Sequence, residues 1–381
     1  MKKALLTLLL LFPLVACATN KTVVTFTLNA VSHGHFSDIQ AEYLAREDFS
    51  DTTPFNGNLS VSKPEPINIT WDCNIEATYF VGIYKDEACT DLAVKYQTQE
   101  KSLDLYNSLF NQDYYIKVST VENNGTVHSS EAVHVREDIK VAGPRNVYVE
   151  GVENFRDIGG WGYFENGEYR TYMKQGMIYR SGRFNEEKVD VVTPSITENG
   201  LYEVKNHLKI KTEIDLRRTS TNEVGALTDK SVLGDDVNYI QLPMAYGGNN
   251  ILTFKGKLSN DDYEYDNPEM IKRFFEILAD EKNYPINFHC SIGKDRTGCL
   301  AYLVEGLVVG NKEIMYRDYM FTNFADAGMC KLTDVTSRYG KTISDYSASG
   351  TFLENETYAY LLEVVVIPDL TLKKVINILR A

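Results

Sequence analysis

Two side chains near residue 290 have the types and the spacing needed for chemistry on a phosphate ester. Arg296 follows Cys290 by six residues. The thiolate is the nucleophilic form of Cys, and cationic neighbours or a helix N-terminus stabilise it. A guanidinium offers a planar fork that matches two phosphoryl oxygens. The pair therefore indicates a site in which an ionised Cys290 sulfur and the Arg296 guanidinium could meet one phosphoryl group.

The residues on either side of this pair predict the elements that position it. The segment Ile286–His289, in which Ile286 and Phe288 are apolar, predicts a buried strand, and the apolar run 297–309 predicts a helix. A loop between a strand and a helix N-terminus can turn successive backbone N–H groups toward one anion. Gly293 permits backbone geometry that a Cβ would obstruct. The predicted phosphate-binding residues of the loop are His289, Ser291, Ile292, Gly293, Lys294, Asp295, Arg296 and Thr297.

Three of these residues have separate expected roles. His289 is expected to orient the loop by hydrogen bonding to backbone rather than to act as a base. Thr297 is placed to donate a hydrogen bond to the sulfur, which would help the thiolate to leave in the second step. Lys294 either widens the positive field around the phosphate or is a solvated charge at the rim of the loop.

The leaving oxygen of the ester also needs a proton, which a nearby carboxyl group normally supplies. Asp215 ends a predicted strand, 210–216, that should lie beside the strand leading to the loop, and Asp295 lies within the loop itself. Either could be the general acid. So could a carboxyl group of the acidic stretch 261–266, which otherwise forms a lid or an exposed loop. Asp215 could instead be a structural partner of an arginine, and Asp295 could pair with a neighbouring cation.

Three arginines outside the loop could also contact phosphate. Arg180 is a candidate for phosphate binding, together with Arg156 and Arg217. Each of them could hold a second phosphate, or could be the buried partner of Asp157 or Asp215.

Zinc, nucleotide and thiol protease chemistry are not indicated by this sequence. The chain has no CxxC pair of the kind that binds zinc. It also has no GxxxxGK[ST] loop of the kind that binds a nucleotide triphosphate. A thiol protease would need a separate His and Asn pair, for which the sequence offers no clear signal.

The first residues are typical of an export signal. Lys2 and Lys3 precede the almost purely apolar run 5–15, which is too short to span a bilayer. The run ends in LVAC, which resembles the lipobox of bacterial lipoproteins, so residues 1–16 are predicted to be removed and Cys17 to become the lipidated N-terminus. We therefore expect an extracytoplasmic lipoprotein of the cell envelope, anchored to the membrane through Cys17. The alternative is a plain secretory signal.

Length and charge limit the classes of function. The chain has 381 residues, of which 43% are hydrophobic and 24% are charged, as in soluble globular proteins. Its 39 basic and 53 acidic side chains give a formal net charge of −14, which argues against a nucleic acid partner. An anion site must therefore be built locally, against the overall field.

The chain length and a change of sequence pattern predict two folded domains. Residues 17–60 are polar and are predicted to form a tether. Residues 61–143 contain short strands separated by turn signals, which predicts an antiparallel β-sandwich. This region resembles a fibronectin type III or Ig-like module, with Trp71 on an early strand and Leu109 six residues before Tyr115, as in a tyrosine corner.

In residues 144–381, helical stretches alternate with short apolar strands. This alternation predicts an α/β domain with a central, largely parallel sheet flanked by helices. The predicted helices are 196–208, 268–279, 297–309 and 312–323, and the predicted strands are 210–216 and 286–289.

The cysteines outside the loop have different expected states. Cys73 and Cys89 share the N-terminal region and could pair in an oxidising compartment, or could be two buried free thiols. Cys299 lies in the apolar helical run and is expected in the core.

The segment 289–298, with the sequence HCSIGKDRTG, resembles the HCxxGKDRTG signature of the bacterial atypical, lipid-phosphatase-like protein tyrosine phosphatases. Further segments resemble motifs of that family and occur in the same order, namely NFRDIGG at 154–160, IYRSG at 178–182, EIDLR at 213–217 and DYMFTN at 318–323. The resemblance covers roughly residues 145–381 and says nothing about the N-terminal module.

This resemblance implies a cysteine-phosphatase domain that acts through a phosphocysteine intermediate at Cys290, without metal or cofactor. The main hypothesis is a protein tyrosine phosphatase acting on a phosphotyrosine protein or peptide. The alternative within the class is a phosphoinositide or inositol phosphate phosphatase, since an extra loop cation such as Lys294 often accompanies that activity in the resembling families. From a different class, the chain could be a catalytically idle phosphate-binding or adhesion lipoprotein. A loop that only binds has no need of a thiolate, which argues against this last alternative.

Overall fold

The computed structural model describes residues 23–51, 63–185, 195–218, 230–246, 251–259, 261–325, 330–347 and 356–381. The predicted signal peptide, residues 1–16, and the predicted lipidation site Cys17 lie outside the described residues. Within the described residues, each helix is too short or too polar to cross a lipid bilayer.

Residues up to 143 form two antiparallel sheets around a common core. Their elements are β1 (Phe26–Ser32), α1 (Asp38–Leu44), β2 (Ile67–Cys73), β3 (Tyr79–Tyr84), β4 (Leu92–Thr98), β5 (Ser102–Leu105), β6 (Asp113–Val121), β7 (Val127–Ser129) and β8 (Val133–Arg136). One sheet has the order β1-β2-β5, and the other has the order β4-β3-β6-β7, with β8 also paired to β6. Alternate residues such as Trp71, Val81 and Ile116 point into the core between the sheets. The sheet-rich architecture predicted for this part is confirmed, and Cys73 and Cys89 are both free thiols.

One predicted contact of this part is shifted by a residue. The hydroxyl of Tyr114, and not that of Tyr115, accepts a hydrogen bond from Leu109 N at 3.1 Å. Successive side chains of a strand point to opposite faces. Tyr114 therefore points into the core and is buried, whereas Tyr115 packs against the ring of His134 on the other face.

Residues 23–51, which belong to the predicted tether, contact both parts of the chain. Strand β1 pairs with β2 along its whole length. Helix α1 packs the fully buried Tyr43 against the rings of Phe321 and Phe324, which belong to the C-terminal part. The polar sequence does not predict these contacts because β1 buries only one face, and its residues therefore alternate between partly buried and exposed.

Residues from 144 onward form the α/β domain. Its strands are β9 (Arg145–Asn146), β10 (Arg156–Asp157), β11 (Gly162–Glu165), β12 (Glu168–Thr171), β13 (Ile178–Ser181), β14 (Thr212–Asp215), β15 (Asn238–Gln241), β16 (Lys255–Lys257), β17 (Glu264–Asp266) and β18 (Ile286–His289). Its α-helices are α2 (Glu198–Tyr202), α3 (Asn267–Leu278), α4 (Asp295–Val308), α5 (Lys312–Phe321), α6 (Leu332–Val335), α7 (Lys341–Ser347), α8 (Glu356–Glu363) and α9 (Asp369–Leu379). A π-helical turn, Glu203–His207, extends α2, and a second one, Thr336–Gly340, joins α6 to α7.

Six of the described strands form the main sheet of this domain, in the order β15-β14-β18-β13-β10-β9. Strands β15, β14, β18 and β13 are parallel, and β10 and β9 continue the sheet in antiparallel pairs. The predicted central, largely parallel sheet with flanking helices is therefore confirmed.

Strand β18 lies in the interior of this sheet and is buried along its length. Strands β13 and β14 pair with it on either side, so the carboxyl ends of three parallel strands, at Ser181, Asp215 and His289, are neighbours. Helix α4 leaves from this edge and is almost wholly buried, with Cys299 in the core as expected. In open α/β sheets, ligands bind outside the carboxyl ends of the strands. The fold therefore presents the loop after β18 at the edge where a ligand can reach it.

Buried polar contacts join the β-sandwich to the α/β domain. Arg145 is fully buried and donates hydrogen bonds to the Asp157 carboxylate at 2.7 Å and to Asn107 O at 3.0 Å. Asn107 Nδ2 donates to Glu203 Oε2 at 2.9 Å, and the Tyr96 hydroxyl donates to Glu203 Oε1 at 2.6 Å. Separating the two parts would leave these groups without partners, which opposes their independent motion.

We expect Tyr43→Ala to lower the free energy of unfolding of the whole chain by about 3 kcal/mol, because truncating a buried aromatic side chain leaves a cavity. The measurement is urea denaturation of the full chain followed by intrinsic fluorescence. Tyr163→Ala is the control, since Tyr163 is 39% exposed and surface substitutions usually change stability by roughly 0.5 kcal/mol or less. Equal stability of the two variants would contradict a core role for α1.

Candidate active site

The loop between β18 and α4 is held with its carbonyl groups pointing outward. Successive carbonyl oxygens accept hydrogen bonds from surrounding groups, namely Cys290 O from His289 Nδ1 at 3.1 Å, Ser291 O from Arg183 N at 3.1 Å, Ile292 O from Asn154 Nδ2 at 3.1 Å, and Gly293 O from Arg180 Nη2 at 2.7 Å. In a trans peptide, the C=O and the following N–H point in opposite directions. The backbone N–H groups of residues 291–294 therefore face the inside of the loop, and we call residues 290–296 the cup.

Two further features make the cup a site for an anion. Helix α4 begins at Asp295, so the positive end of its dipole points at the cup. Gly293 has a φ of +72°, and a Cβ there would lie 2.5 Å from Ser181 O and 2.9 Å from Asn154 Nδ2. The backbone conformation and the close approach both exclude a side chain at this position. The loop side chains that are partly exposed at the rim of the cup are Ser291, Ile292, Lys294 and Asp295.

Cys290 and Arg296 stand at the two ends of the cup. Cys290 follows directly after β18 and is 2% exposed. Arg296 lies in the first turn of α4 and is 7% exposed. Arg296 Nη1 donates to Leu216 O at 3.2 Å and to Met244 O at 3.5 Å, so residues just beyond β14 and β15 support the guanidinium. The fold thus gathers a thiol, a guanidinium and a row of N–H groups at one edge of the sheet.

A buried His–Glu pair supports the cup from the side of the sheet. His289 Nδ1 bonds to Cys290 O, which can only accept, so Nδ1 carries a proton. His289 Nε2 lies 2.9 Å from Glu213 Oε1, and the Ser231 hydroxyl donates to the other oxygen of that carboxyl group. The hydrogen bond between Nε2 and Oε1 needs one further proton, which the imidazole and the carboxyl group share. His289 is thereby fixed against the backbone of the cup.

Thr297 does not make the hydrogen bond to the Cys290 sulfur that the sequence predicts. Its Oγ1 is buried and has no hydrogen-bond partner among the residues that the structure describes. The predicted hydrogen bond between Thr297 and the Cys290 sulfur is therefore absent from the described contacts.

Arg180 and Arg156 lie behind the cup rather than inside it. Both guanidiniums pair with the carboxylate of Asp318 on α5, and both are buried. Burial alone would raise the pKa of Asp318, but the two guanidiniums hold it below its ordinary value. Arg180 also holds Gly293 O. It therefore supports the backbone of the cup, which agrees with the structural alternative for Arg180, and its phosphate-binding role stays a prediction.

Asp215 is part of a structural ion pair. Its carboxylate accepts hydrogen bonds from Arg217 N, Nε and Nη2 at 2.6–2.9 Å and from the Tyr239 hydroxyl at 2.8 Å. Burial alone would raise the pKa of Asp215, but His289 and Arg217 outweigh burial and lower the pKa to about 2. A carboxyl group that stays ionised near neutral pH has no proton to give. The general-acid role considered for Asp215 therefore does not fit this geometry.

Asp295 has the opposite properties. It is the first residue of α4, and its side chain is 20% exposed. Burial raises the pKa of Asp295 above its ordinary value, although Arg338, Lys294 and Arg296 each oppose that shift. Its Oδ1 accepts a hydrogen bond from Arg338 Nη1. A partly exposed carboxyl group with a raised pKa at the edge of the cup is suited to protonate a leaving oxygen.

The acidic stretch 261–266 makes local structural contacts. Asp261 accepts a hydrogen bond from the Tyr265 hydroxyl at 2.7 Å. Asp266 caps α3, where its side chain accepts from Glu269 N at 3.1 Å. These contacts give two carboxylates of the stretch, those of Asp261 and Asp266, a structural role that does not involve proton transfer.

Three residues that contact the cup are not predicted by the sequence. Asn154 adopts a φ of +55°, a left-handed conformation that Asn tolerates, and reaches Ile292 O. Arg183 uses its Nη1 as well as its backbone N–H, at 3.2 Å from Ser291 O and 3.3 Å from Ser291 Oγ. Arg338 reaches Asp295 from a segment after α5. The positions of Asn154 and Arg183 in or next to family-like motifs are the available signal, and Arg338 has no such signal.

We expect Asp215→Asn to lower the free energy of unfolding at pH 7 by about 3 kcal/mol, because it leaves the buried Arg217 guanidinium without its charge partner. The folded-state pKa is depressed, so the stabilisation is present above the unfolded-state pKa of about 3.9 and is lost as the pH falls toward about 2. Urea denaturation of both proteins should show a constant difference from pH 7 to pH 5 that narrows below about pH 4. Equal stability at pH 7 would contradict the structural role of Asp215.

Comparisons with known proteins agree with the residues at this site. The sequence model of a family described as "Tyrosine phosphatase family" matches residues 147–365. No curated protein matches the chain. The crystal structure of the core catalytic domain of the PP-IP phosphatase SIW14 from S. cerevisiae in complex with citrate is similar at 16% sequence identity, over 47% of this chain and 91% of that chain, with a TM-score of 0.29. A structure of the Siw14 catalytic core is similar at 15% identity, over 47% and 89% of the two chains, with a TM-score of 0.27. Because the family match covers more than half of the chain, this protein belongs to the tyrosine phosphatase family and is a cysteine-based phosphatase that hydrolyses phosphoric monoesters.

Proposed function

We propose that this phosphatase is a protein tyrosine phosphatase in which Cys290 is the nucleophile, Arg296 holds the phosphoryl oxygens and Asp295 is the general acid. The observation that carries the assignment is the outward fixing of the carbonyl groups of residues 290–293. It leaves the N–H groups of the cup and the Arg296 guanidinium around one anion site next to the thiol. Preorganised donors of this kind supply much of the rate enhancement in phosphoryl transfer.

The residues of the cup support a two-step reaction. In the first step, the Cys290 thiolate forms a bond to phosphorus while the ester P–O bond breaks, and Asp295 gives its proton to the leaving oxygen. In the second step, water attacks phosphorus, its proton passes to Asp295, and the S–P bond breaks to release phosphate and restore the thiolate. Arg296 and the N–H groups hold the equatorial oxygens in both steps. The Thr297 hydroxyl, which is buried without a partner among the described residues, is available to the thiolate that leaves in the second step.

Tyr246 supports an aryl phosphate as the substrate. Its side chain is 42% exposed, and the Arg338 guanidinium lies 5.6 Å from the centre of its ring. Arg338 also donates a hydrogen bond to Asp295 Oδ1, so the Tyr246 ring and the proposed acid contact the same guanidinium. An exposed aromatic face next to the general acid can pack against the phenyl ring of phosphotyrosine.

A phosphoinositide or inositol phosphate is the second candidate substrate. Lys294 and Arg338 both act on the Asp295 carboxyl group at the rim of the cup. Cations at this rim favour a substrate that carries a second phosphate beside the one being removed.

The nucleophile and the oxyanion holder can be tested with an aryl phosphate such as p-nitrophenyl phosphate. We expect Cys290→Ser to abolish hydrolysis and Arg296→Ala to lower kcat by about 10²–10³-fold, the range found for oxyanion donors. Arg273→Met is the control for lost positive charge, because Arg273 is exposed on α3. Equal rates for the wild type and Cys290→Ser would contradict the covalent mechanism and leave a phosphate-binding role.

The substrate class can be tested by comparing kcat/KM for phosphotyrosine peptides, phosphoinositides and inositol phosphates. If the substrate is phosphotyrosine, Tyr246→Ala should lower kcat/KM for the peptide by about 2–10-fold, the size of an aromatic pair contribution, and should leave inositol phosphates unaffected. A wild type that hydrolyses inositol phosphates or phosphoinositides far better than the peptides would reject phosphotyrosine and support the second candidate.

We also propose that the chain is an extracytoplasmic lipoprotein anchored through Cys17. The support is the charged start, the short apolar run and the LVAC sequence that ends at Cys17. Labelling with radioactive palmitate should mark the wild type and not Cys17→Ser. Label in both proteins, or in neither, would reject the anchor.

A further inference from the structure

We propose that Arg338, in the π-helical turn Thr336–Gly340, is a positioning residue for proton transfer that fixes the Asp295 carboxyl group at the edge of the cup. The inference rests on the proposed function, because it takes Asp295 as the general acid.

The first support is that one short turn of chain holds both the side chain and the backbone of Asp295. Arg338 Nη1 donates a hydrogen bond to Asp295 Oδ1. The hydroxyl of the next residue, Tyr339, donates to Asp295 O at 3.1 Å. The side chains of Arg338 and Asp295 are 17% and 20% exposed, so the pair is sheltered but open to a ligand. Paired contacts from two adjacent residues, Arg338 and Tyr339, distinguish this arrangement from that of a flexible surface cation.

The second support is that the turn itself is fixed to the helices around the cup. Tyr339 is fully buried, and its ring packs against Tyr302 on α4 at 5.6 Å and against Tyr319 on α5 at 5.9 Å between ring centres. Arg338 Nη2 also lies 3.8 Å from Asp334 Oδ1, one turn earlier. π-Helical turns of this kind are frequent at functional sites because they re-aim side chains within a helix. The distance between Arg338 and the cup is therefore set by the core rather than by a loop.

Several titratable groups besides Arg338 lie around Asp295, and the protonation of its carboxyl group depends on all of them. The cations are Arg338, Lys294 and Arg296; the phenols are Tyr246, Tyr319 and Tyr339; the thiols are Cys299 and Cys330; and Asp334 lies on the far side of Arg338. Lys294 and Arg296 belong to the cup, so changing them changes phosphate binding as well. Arg338 lies outside the cup, so its effect on the carboxyl group can be separated from the binding of phosphate.

The sign of the effect follows from these contacts. Burial favours the protonated form of Asp295, and Arg338 favours the ionised form. Arg338→Met retains an unbranched side chain but removes the charge and the hydrogen bond, so Asp295 should keep its proton to a higher pH. The carboxyl group also loses its fixed orientation, which should slow proton transfer to the leaving oxygen. An ester with a poor leaving group depends on that proton, whereas one with a good leaving group does not.

The experiment compares kcat and KM from pH 5 to pH 9 for phenyl phosphate, a poor leaving group, and 2,4-dinitrophenyl phosphate, a good one. The proteins are the full-length wild type, Arg338→Met, Arg338→Lys, Asp295→Asn and the exposed-charge control Arg273→Met. For Arg338→Met we expect kcat for phenyl phosphate to fall about tenfold relative to the dinitrophenyl ester, with KM unchanged. This tenfold loss is a part of the rate enhancement of about 10²–10⁴-fold that a general acid contributes. We also expect the basic limb of the phenyl phosphate profile to move to higher pH, Arg338→Lys to restore both properties in part, and Arg273→Met to match the wild type.

Other outcomes would overturn the inference. If Arg338→Met slows both esters equally and leaves the basic limb in place, the residue is merely structural. The same holds if the basic limb survives in Asp295→Asn, because Asp295 is then not the acid. If Arg338→Met does not fold, judged by its thermal melting, the test uses Arg338→Lys. A wild-type pH profile and a wild-type ratio of kcat for the two esters would then reject the inference. A shifted basic limb of the phenyl phosphate profile would support it. Hydrolysis that still requires Cys290 in these cases leaves the proposed reaction and its nucleophile intact, although a basic limb that survives in Asp295→Asn would remove Asp295 from that proposal. A wild type that hydrolyses neither ester would reject the proposed function and the inference together.

Discussion

The structure depends on a constraint on one short stretch of backbone: the carbonyl groups of residues 290–293 must all point away from the space they enclose. Each is held by a donor from the chain around it, and an ordinary hydrogen bond of this kind contributes only about 0.5–1.5 kcal/mol net. Together they fix the direction of the opposing N–H groups before any ligand arrives. Donors that are already oriented need no rearrangement when charge develops in the transition state, which is the condition for strong electrostatic stabilisation. The parallel sheet, the buried helix α4 and the arginines behind the loop all help to hold the carbonyl groups in this direction.

The arginines behind the loop also determine the net charge of the buried groups that lie next to it. Arg156 and Arg180 share the one carboxylate of Asp318; Arg180 also donates to Gly293 O, and Arg156 also donates to the Asn154 side chain. Glu305, on α4, lies near this group, and burial and Asp318 raise its pKa well above its ordinary value. Burial favours the neutral form of Glu305, and in that form the two guanidiniums face one carboxylate, so that the buried group has an excess of positive charge. This local excess favours an anion in the cup, although the chain as a whole carries a formal charge of −14.

The sequence predicts the parts of this arrangement that depend on neighbours in the chain. A buried strand, a glycine-containing loop and an apolar helix follow from the pattern between 286 and 309, and the alternation after 144 predicts the parallel sheet. The parts that depend on distant partners are not predicted. The partner of Arg180 is Asp318, 138 residues away, and Asp215 accepts a hydrogen bond from Tyr239, 24 residues away, in addition to those from the nearby Arg217. The shift from Tyr115 to Tyr114 has a different cause, because one residue of register moves a strand side chain to the opposite face. The role of the polar segment with β1 and α1 is not predicted for a related reason, since β1 buries one face only partly and α1 adds few apolar side chains, such as Tyr43 and Leu44, to the core.

In the proposed mechanism, the cup holds an oxyanion against the Cys290 sulfur by its inward N–H groups and Arg296. A crystal structure of the full chain soaked with vanadate tests this directly. We expect a five-coordinate vanadium bonded to Cys290 Sγ, with its equatorial oxygens within hydrogen-bond distance of the N–H groups of residues 291–294 and of the Arg296 guanidinium. A loop whose carbonyl groups turn inward, or a vanadate bound elsewhere while Cys290 Sγ has no ligand, would contradict it.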